Sequence, residues 1–182
     1  MRIQFLCRIC CCIIFLIPFT TNATIVTLAS TLTPEAEIPS ATAPGAVGSA
    51  AMILDTNTSQ FSWVIEFSGL TGPATAAHFH EGAADQTGPV VLDLDTDPGV
   101  TFSGVGQSSG MFSGGKILSS TDIDNILAGL WYINIHTVAN GPGELRGQVL
   151  GGTFSPVPLP GAIWMFLPAI GLLSISARRR QT

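Results

Sequence analysis

Three histidines fall in two short strings, AHFHEG at 77–82 and YINIHT at 132–137, and these strings carry the clearest chemistry in the chain. In an extended segment side chains alternate between faces, so His78 and His80 share one face and Phe79 takes the other. By the same rule Tyr132, Asn134 and His136 lie opposite Trp131, Ile133 and Ile135, and Glu144, Arg146 and Gln148 lie opposite Leu145 and Val149. If the three segments are neighbours, their polar rows merge into one patch. An H-x-H pair on a strand plus a third imidazole suits zinc or copper, with Glu144 as a ligand or as an acceptor behind one. The same residues also suit a network without an ion, in which Arg146 pairs with Glu144, histidines donate to carbonyls and Asn134 bridges strands. Both readings stand at the level of the sequence.

Other constellations carry less. Asp93, Asp95 and Asp97 resemble the start of a calcium loop, but Gly99 stands one position late and Gly104 replaces the closing carboxylate. Alternating aspartates leaving a strand are the mark of a solvated face. The glycine-rich stretch at 103–115 lacks the Lys-Ser/Thr of a phosphate-binding loop and does not lead directly into a helix. All four cysteines lie at or before position 12, so the rest of the chain has no thiol for catalysis, metal binding or a disulfide. Between the ends, Lys116 and Arg146 stand against all twelve acidic residues, a formal charge of −10. Such a surface repels phosphate backbones and excludes nucleic acid as a partner, while leaving cations welcome.

The elements that must position these residues read as short strands broken by Gly, Pro, Asn and Asp. Phe61, Trp63, Ile65 and Phe67 alternate with polar or smaller residues, a half-buried strand that ends at Gly69. Further strands are expected at 48–54, 75–81, 89–94, 100–103, 110–113, 130–137 and 144–150, with turns at 55–57 and 140–143. One short helix interrupts them: Ser119 or Ser120 caps it, Asp122 and Asp124 suit its N-terminal dipole, Ile123, Ile126 and Leu127 form its apolar stripe, and Gly129 stops it. The expected fold is all-β, an antiparallel Greek-key-like sandwich or barrel with one short helix, over residues 24–152.

Both ends differ in kind from this middle. Residues 1–23 read as a signal peptide, with Arg2 and Arg8 in a basic head, an apolar run at 9–19 and small residues before a signal-peptidase cut after Ala23. At the other end, residues 153–160 read as a linker, 161–177 as a membrane helix near the lower length limit, and 178–182 as a basic cytoplasmic tail. Val157, Pro158, Leu159 and Pro160, the helix, and Arg178, Arg179 and Arg180 together resemble the PEP-CTERM sorting signal of Gram-negative bacteria, with VPLP in place of Pro-Glu-Pro. That resemblance implies an exosortase-type enzyme as a partner, and an association with extracellular polysaccharide or biofilm. The domain is then expected outside the cytoplasm, membrane-anchored first and at the cell surface or beyond after processing.

The middle resembles a known family as well. L-x-x-E-x-E-x-P at 32–39, G-L-x-G at 69–72, AHFHEG at 77–82, G-P-V at 88–90, AGLWYINIHT at 128–137 and GELRGQ at 143–148 are similar, in order, to the CHRD domain named from chordin. The resemblance implies an all-β extracellular module without established catalytic activity. The expected function is therefore an exported, non-enzymatic surface or matrix protein. The alternative is a copper- or zinc-binding, or redox, protein using His78, His80 and His136.

Overall fold

The computed structural model describes residues 23–157, so the expected leader, membrane helix and arginine tail, with Pro158, Leu159 and Pro160, lie outside the described residues. Ten strands form two antiparallel sheets. In chain order they are β1 (Ala23–Leu32), β2 (Val47–Asp55), β3 (Gln60–Ser68), β4 (Ala74–Glu81), β5 (Val90–Asp93), β6 (Val100–Phe102), β7 (Gly110–Ile117), β8 (Trp131–Thr137), β9 (Leu145–Gln148) and β10 (Leu150–Val157). The larger sheet runs β10-β1-β2-β3-β7-β6 and the smaller β5-β4-β8-β9. The chain crosses between sheets after β3, β5, β7 and β9.

Alternation explains why the sheets face each other. In β3 the residues Phe61, Trp63, Ile65 and Phe67 are buried while Val64 and Glu66 point out, and in β4 Ala77 and Phe79 are buried on the inward face. Phe61 meets Phe79 edge-on at 5.5 Å and Trp131 at 6.0 Å, so aromatic rings from both sheets form one core. A helix, α1 (Ser120–Leu127), joins β7 to β8. Ser119 caps it reciprocally with Asp122, as the sequence suggests. Its stripe is narrower than expected, for Ile126 is buried whereas Leu127 is 38% exposed.

Three departures from the sequence reading have physical causes. The strand β1 was not expected, because its inward row Val26, Leu28, Ser30 and Leu32 contains a serine and is diluted by Ala and Thr. The expected strand at 144–150 is two strands: the chain leaves the smaller sheet after Gln148 and enters the larger at Leu150. The expected linker from 153 is ladder as far as Val157, because β1 offers an open edge that pairs Ile25 with Ser155 and Ala23 with Val157. Among the described residues no helix is long and apolar enough to cross a membrane.

Candidate functional site

The outer face of the smaller sheet is a polar layer built by register. Across it one row reads Asp93, His78, Asn134, Arg146, each opposite the next on β5, β4, β8 and β9. The neighbouring row pairs His80 with Tyr132 and Tyr132 with Gln148, and His136 lies opposite Ala76. Antiparallel pairing therefore sets His136 diagonal to His78 on the same face. Each of the three histidines offers a ligand atom, and these atoms lie within 4.8 Å of one another.

Loops roof the inner part of this layer. Arg146, Asn134 and Tyr132 are buried although they point away from the core. The guanidinium lies 3.4 Å over the Tyr132 ring, and Nη2 donates to the carbonyls of Ala83 and Gln86 at 3.0 and 2.7 Å. His80 stacks on Tyr132 at 4.9 Å. Gln148 Nε2 donates to the carbonyls of Gly82 and Gly129. Asn134 Nδ2 donates to Glu37 Oε2 and to the Pro142 carbonyl, both at 3.3 Å. Gly88 closes the roof, where a Cβ would fall inside the Glu81 carbonyl.

Glu144 does not join this group. It precedes β9 and turns to the end of the sheet, where Oε1 accepts from the Thr71 N–H at 2.6 Å and Oε2 from Thr137, Thr71 and Asn140. Burial pushes its carboxyl up, but the combined donors from Thr137, Thr71 and Asn140 hold it below the usual range. The expected Arg146–Glu144 pair is thus replaced by two separate networks. Arg146 acts electrostatically on Glu37, from the segment after β1, whose carboxyl burial nonetheless raises to about 7. The aspartate loop likewise finds its own cation: Lys116 Nζ sits 2.5 Å from Asp97 Oδ2. Of the three aspartates that a calcium reading of this loop requires, Asp97 is thus paired with an ammonium and Asp95 accepts from the Ser103 hydroxyl.

The rings themselves are fixed from behind. A carbonyl can only accept, so the contacts of His80 Nδ1 with Gly88 O and of His136 Nδ1 with Gly141 O, both 2.9 Å, put the proton on Nδ1 in each ring. In the neutral rings both Nε2 atoms are then lone pairs. His136 Nε2 lies 3.2 Å from His78 Nδ1, and His80 Nε2 is buried with no partner among the described residues. On its far side His78 Nε2 faces Asp93 Oδ2 at 3.8 Å. Burial lowers the pKa of all three histidines; the neighbouring His136 lowers His78 further, while the Gly88 and Gly141 carbonyls partly oppose the shift in His80 and His136. At neutral pH the site is a cluster of uncharged imidazoles, the form in which histidine binds a metal.

Two contributors escaped the sequence reading. Asp93 was placed in a loop motif, although its alternation with the buried Leu92 and Leu94 sets it on the outer face beside His78. Glu37 entered only as part of a family motif. The carbonyls of Gly88 and Gly141 leave no trace in residue type.

The CHRD domain family model matches residues 28–149, well over half of the 182-residue chain. No curated protein and no solved structure matches it. The matched span runs from β1 to the crossing after β9 and contains every residue of the histidine site. The chain belongs to the CHRD domain family.

Proposed function

We propose that this is an exported, non-enzymatic CHRD-domain protein that holds a copper or zinc ion on His78, His80 and His136 outside the cytoplasm. The observation that carries the metal reading is the half-satisfied geometry of the rings. His80 and His136 are anchored through Nδ1 with Nε2 left to the shared space. A purely structural network has no reason to bury His80 Nε2 without a partner. A tetrahedral ion with bonds of about 2.0–2.1 Å needs nitrogens roughly 3.3 Å apart. The His78–His136 pair, at 3.2 Å, already has that spacing. The acidic, thiol-free middle of the chain favours a cation held by nitrogen.

Expected on titrating the untagged protein with zinc or copper is one bound ion per chain. His136→Ala should weaken it at least about 100-fold, since one of three ligands is gone. Calorimetry giving no heat with either ion, or equal affinity in His136→Ala, refutes the site.

Export and display are supported by the leader-like and VPLP-containing ends and by the acidity of the domain between them. The partners in this reading are signal peptidase, an exosortase-type enzyme, the membrane before processing and, at the surface, extracellular polysaccharide. In a host with the sorting enzyme, intact mass should show a C-terminus cut near Pro160, and deleting that enzyme should restore Thr182. A wild-type host that yields chains ending at Thr182 overturns the sorting signal.

A further inference from the structure

The three rings do not present themselves alike, and the difference lies in Asp93. Its Oδ1 accepts from the N–H groups of Asp95 and Thr96 at 2.7 and 2.8 Å, a local turn that fixes the carboxylate. Its Oδ2 is left facing His78 Nε2 across the β4–β5 ladder, where the two residues are directly paired. On its other side His78 Nδ1 meets the lone pair of His136 Nε2. His78 thus has an acceptor at each nitrogen, whereas His80 and His136 each have a carbonyl acceptor at Nδ1 and a lone pair at Nε2.

We propose that His78 is the tautomeric switch of the site, with Asp93 as the residue that positions its metal-bound form; this rests on the three-histidine metal reading. Without an ion, Nδ1 carries the proton and donates it to His136 Nε2, which joins the two rings at 3.2 Å. That hydrogen bond occupies the atoms an ion needs. With an ion bound, the His78 Nδ1 proton would have left to solvent, freeing the lone pairs of His78 Nδ1 and His136 Nε2 to hold the metal. His78 Nε2 takes a proton from solvent and directs it at Asp93 Oδ2. The ring stays neutral and no net proton is released. Coordination is then mixed, through Nδ1 of His78 and Nε2 of His80 and His136. The metal–imidazole–carboxylate arrangement gives the divalent ion a negative charge behind one ligand.

Histidine nitrogen NMR on the full-length, untagged chain tests this with zinc, which is diamagnetic. Expected without zinc is a His78 protonated at Nδ1, and with zinc a His78 protonated at Nε2, while His80 and His136 keep their Nδ1 protons in both states. Asp93→Asn keeps the turn acceptor but sets an NH2 group against Nε2, which favours the metal-free tautomer. Its zinc affinity should fall about 10–100-fold, with an unchanged metal-free tautomer and melting temperature. A zinc-bound His78 still protonated at Nδ1, or Asp93→Asn binding within twofold of the natural protein, overturns the proposal while leaving the metal centre standing. No zinc binding by the natural protein overturns both.

Discussion

Trp131→Ala is expected to destabilise the domain by about 3–5 kcal/mol, the cost of emptying a large buried site. Trp131 is 1% exposed and opens β8. Its ring sits 6.0 Å from Phe61 and 5.7 Å from Phe79, and Phe79 lies 5.9 Å from Trp63. Phe61 and Trp63 come from the larger sheet, Phe79 and Trp131 from the smaller, so this cluster is where the two sheets are joined. The indole Nε1 makes no hydrogen bond among the described residues, which leaves packing as the whole of the loss. A domain of this size has roughly 5–15 kcal/mol in total, and no cysteine follows position 12 to supply a cross-link. Denaturant unfolding followed by circular dichroism should show a loss of about a fifth or more of the total stability. Trp131→Phe, which keeps an aromatic ring in the cluster, should recover most of it. A loss below about 1 kcal/mol in the alanine variant would mean that the two sheets close over the gap.

How far the sequence discloses this molecule depends on the kind of statement. Alternation settles faces: Phe61 to Phe67 in β3 and Trp131 to Thr137 in β8 present the rows read from them, and His78, His80 and His136 share the expected face. Alternation says nothing of partners. Glu144, Arg146 and Gln148 follow one period, yet Glu144 lies before the strand begins and bonds to Thr71 and Thr137, while Arg146 reaches the carbonyls of the 82–88 roof. Backbone acceptors carry no residue signature, so the anchors of the histidines could not be foreseen. Register is equally silent: that Asp93 stands opposite His78 depends on a bulge between Phe79 and His80. In β1 and β10 the signal is weak because Ala, Ser, Thr and Gly make poor apolar rows; β1 is held between β2 and β10, and β10 pairs on the edge that β1 leaves open.

Glu37→Gln should stabilise the domain by about 3 kcal/mol at pH 8 and by nothing measurable near pH 4. Glu37 is 5% exposed, and burial raises its carboxyl to about 7 against the opposing pull of Arg146 and the hydrogen bonds from Ile38 and Asn134. Its Oε1 and the Oδ1 of Asn134 are both buried without partners, and both crowd Gly143, whose φ of 148° and lack of a Cβ permit the approach. Neither oxygen has a donor among the described residues, and a proton on the carboxyl removes the cost of a buried anion. The folded state therefore binds this proton more tightly than the unfolded chain, where the group titrates near 4.5. Below that value both states hold it and stability is unaffected. Between pH 4.5 and about 7 the folded state alone holds it, so stability falls as pH rises, and above 7 the full cost of a buried anion remains. A shift of this size corresponds to about 3 kcal/mol. The histidines act in the opposite sense, because their lowered values make stability fall as pH drops through the range where the unfolded imidazole is protonated. Comparing Glu37→Gln with the natural protein at each pH cancels that contribution, and glutamine keeps an N–H to offer Asn134. Unfolding free energies measured from pH 4 to 8 should give a difference that grows with pH and levels off above 7. A difference that is flat with pH, or a variant less stable at pH 8, would show that Glu37 is ionised in the folded protein and neutralised by Arg146.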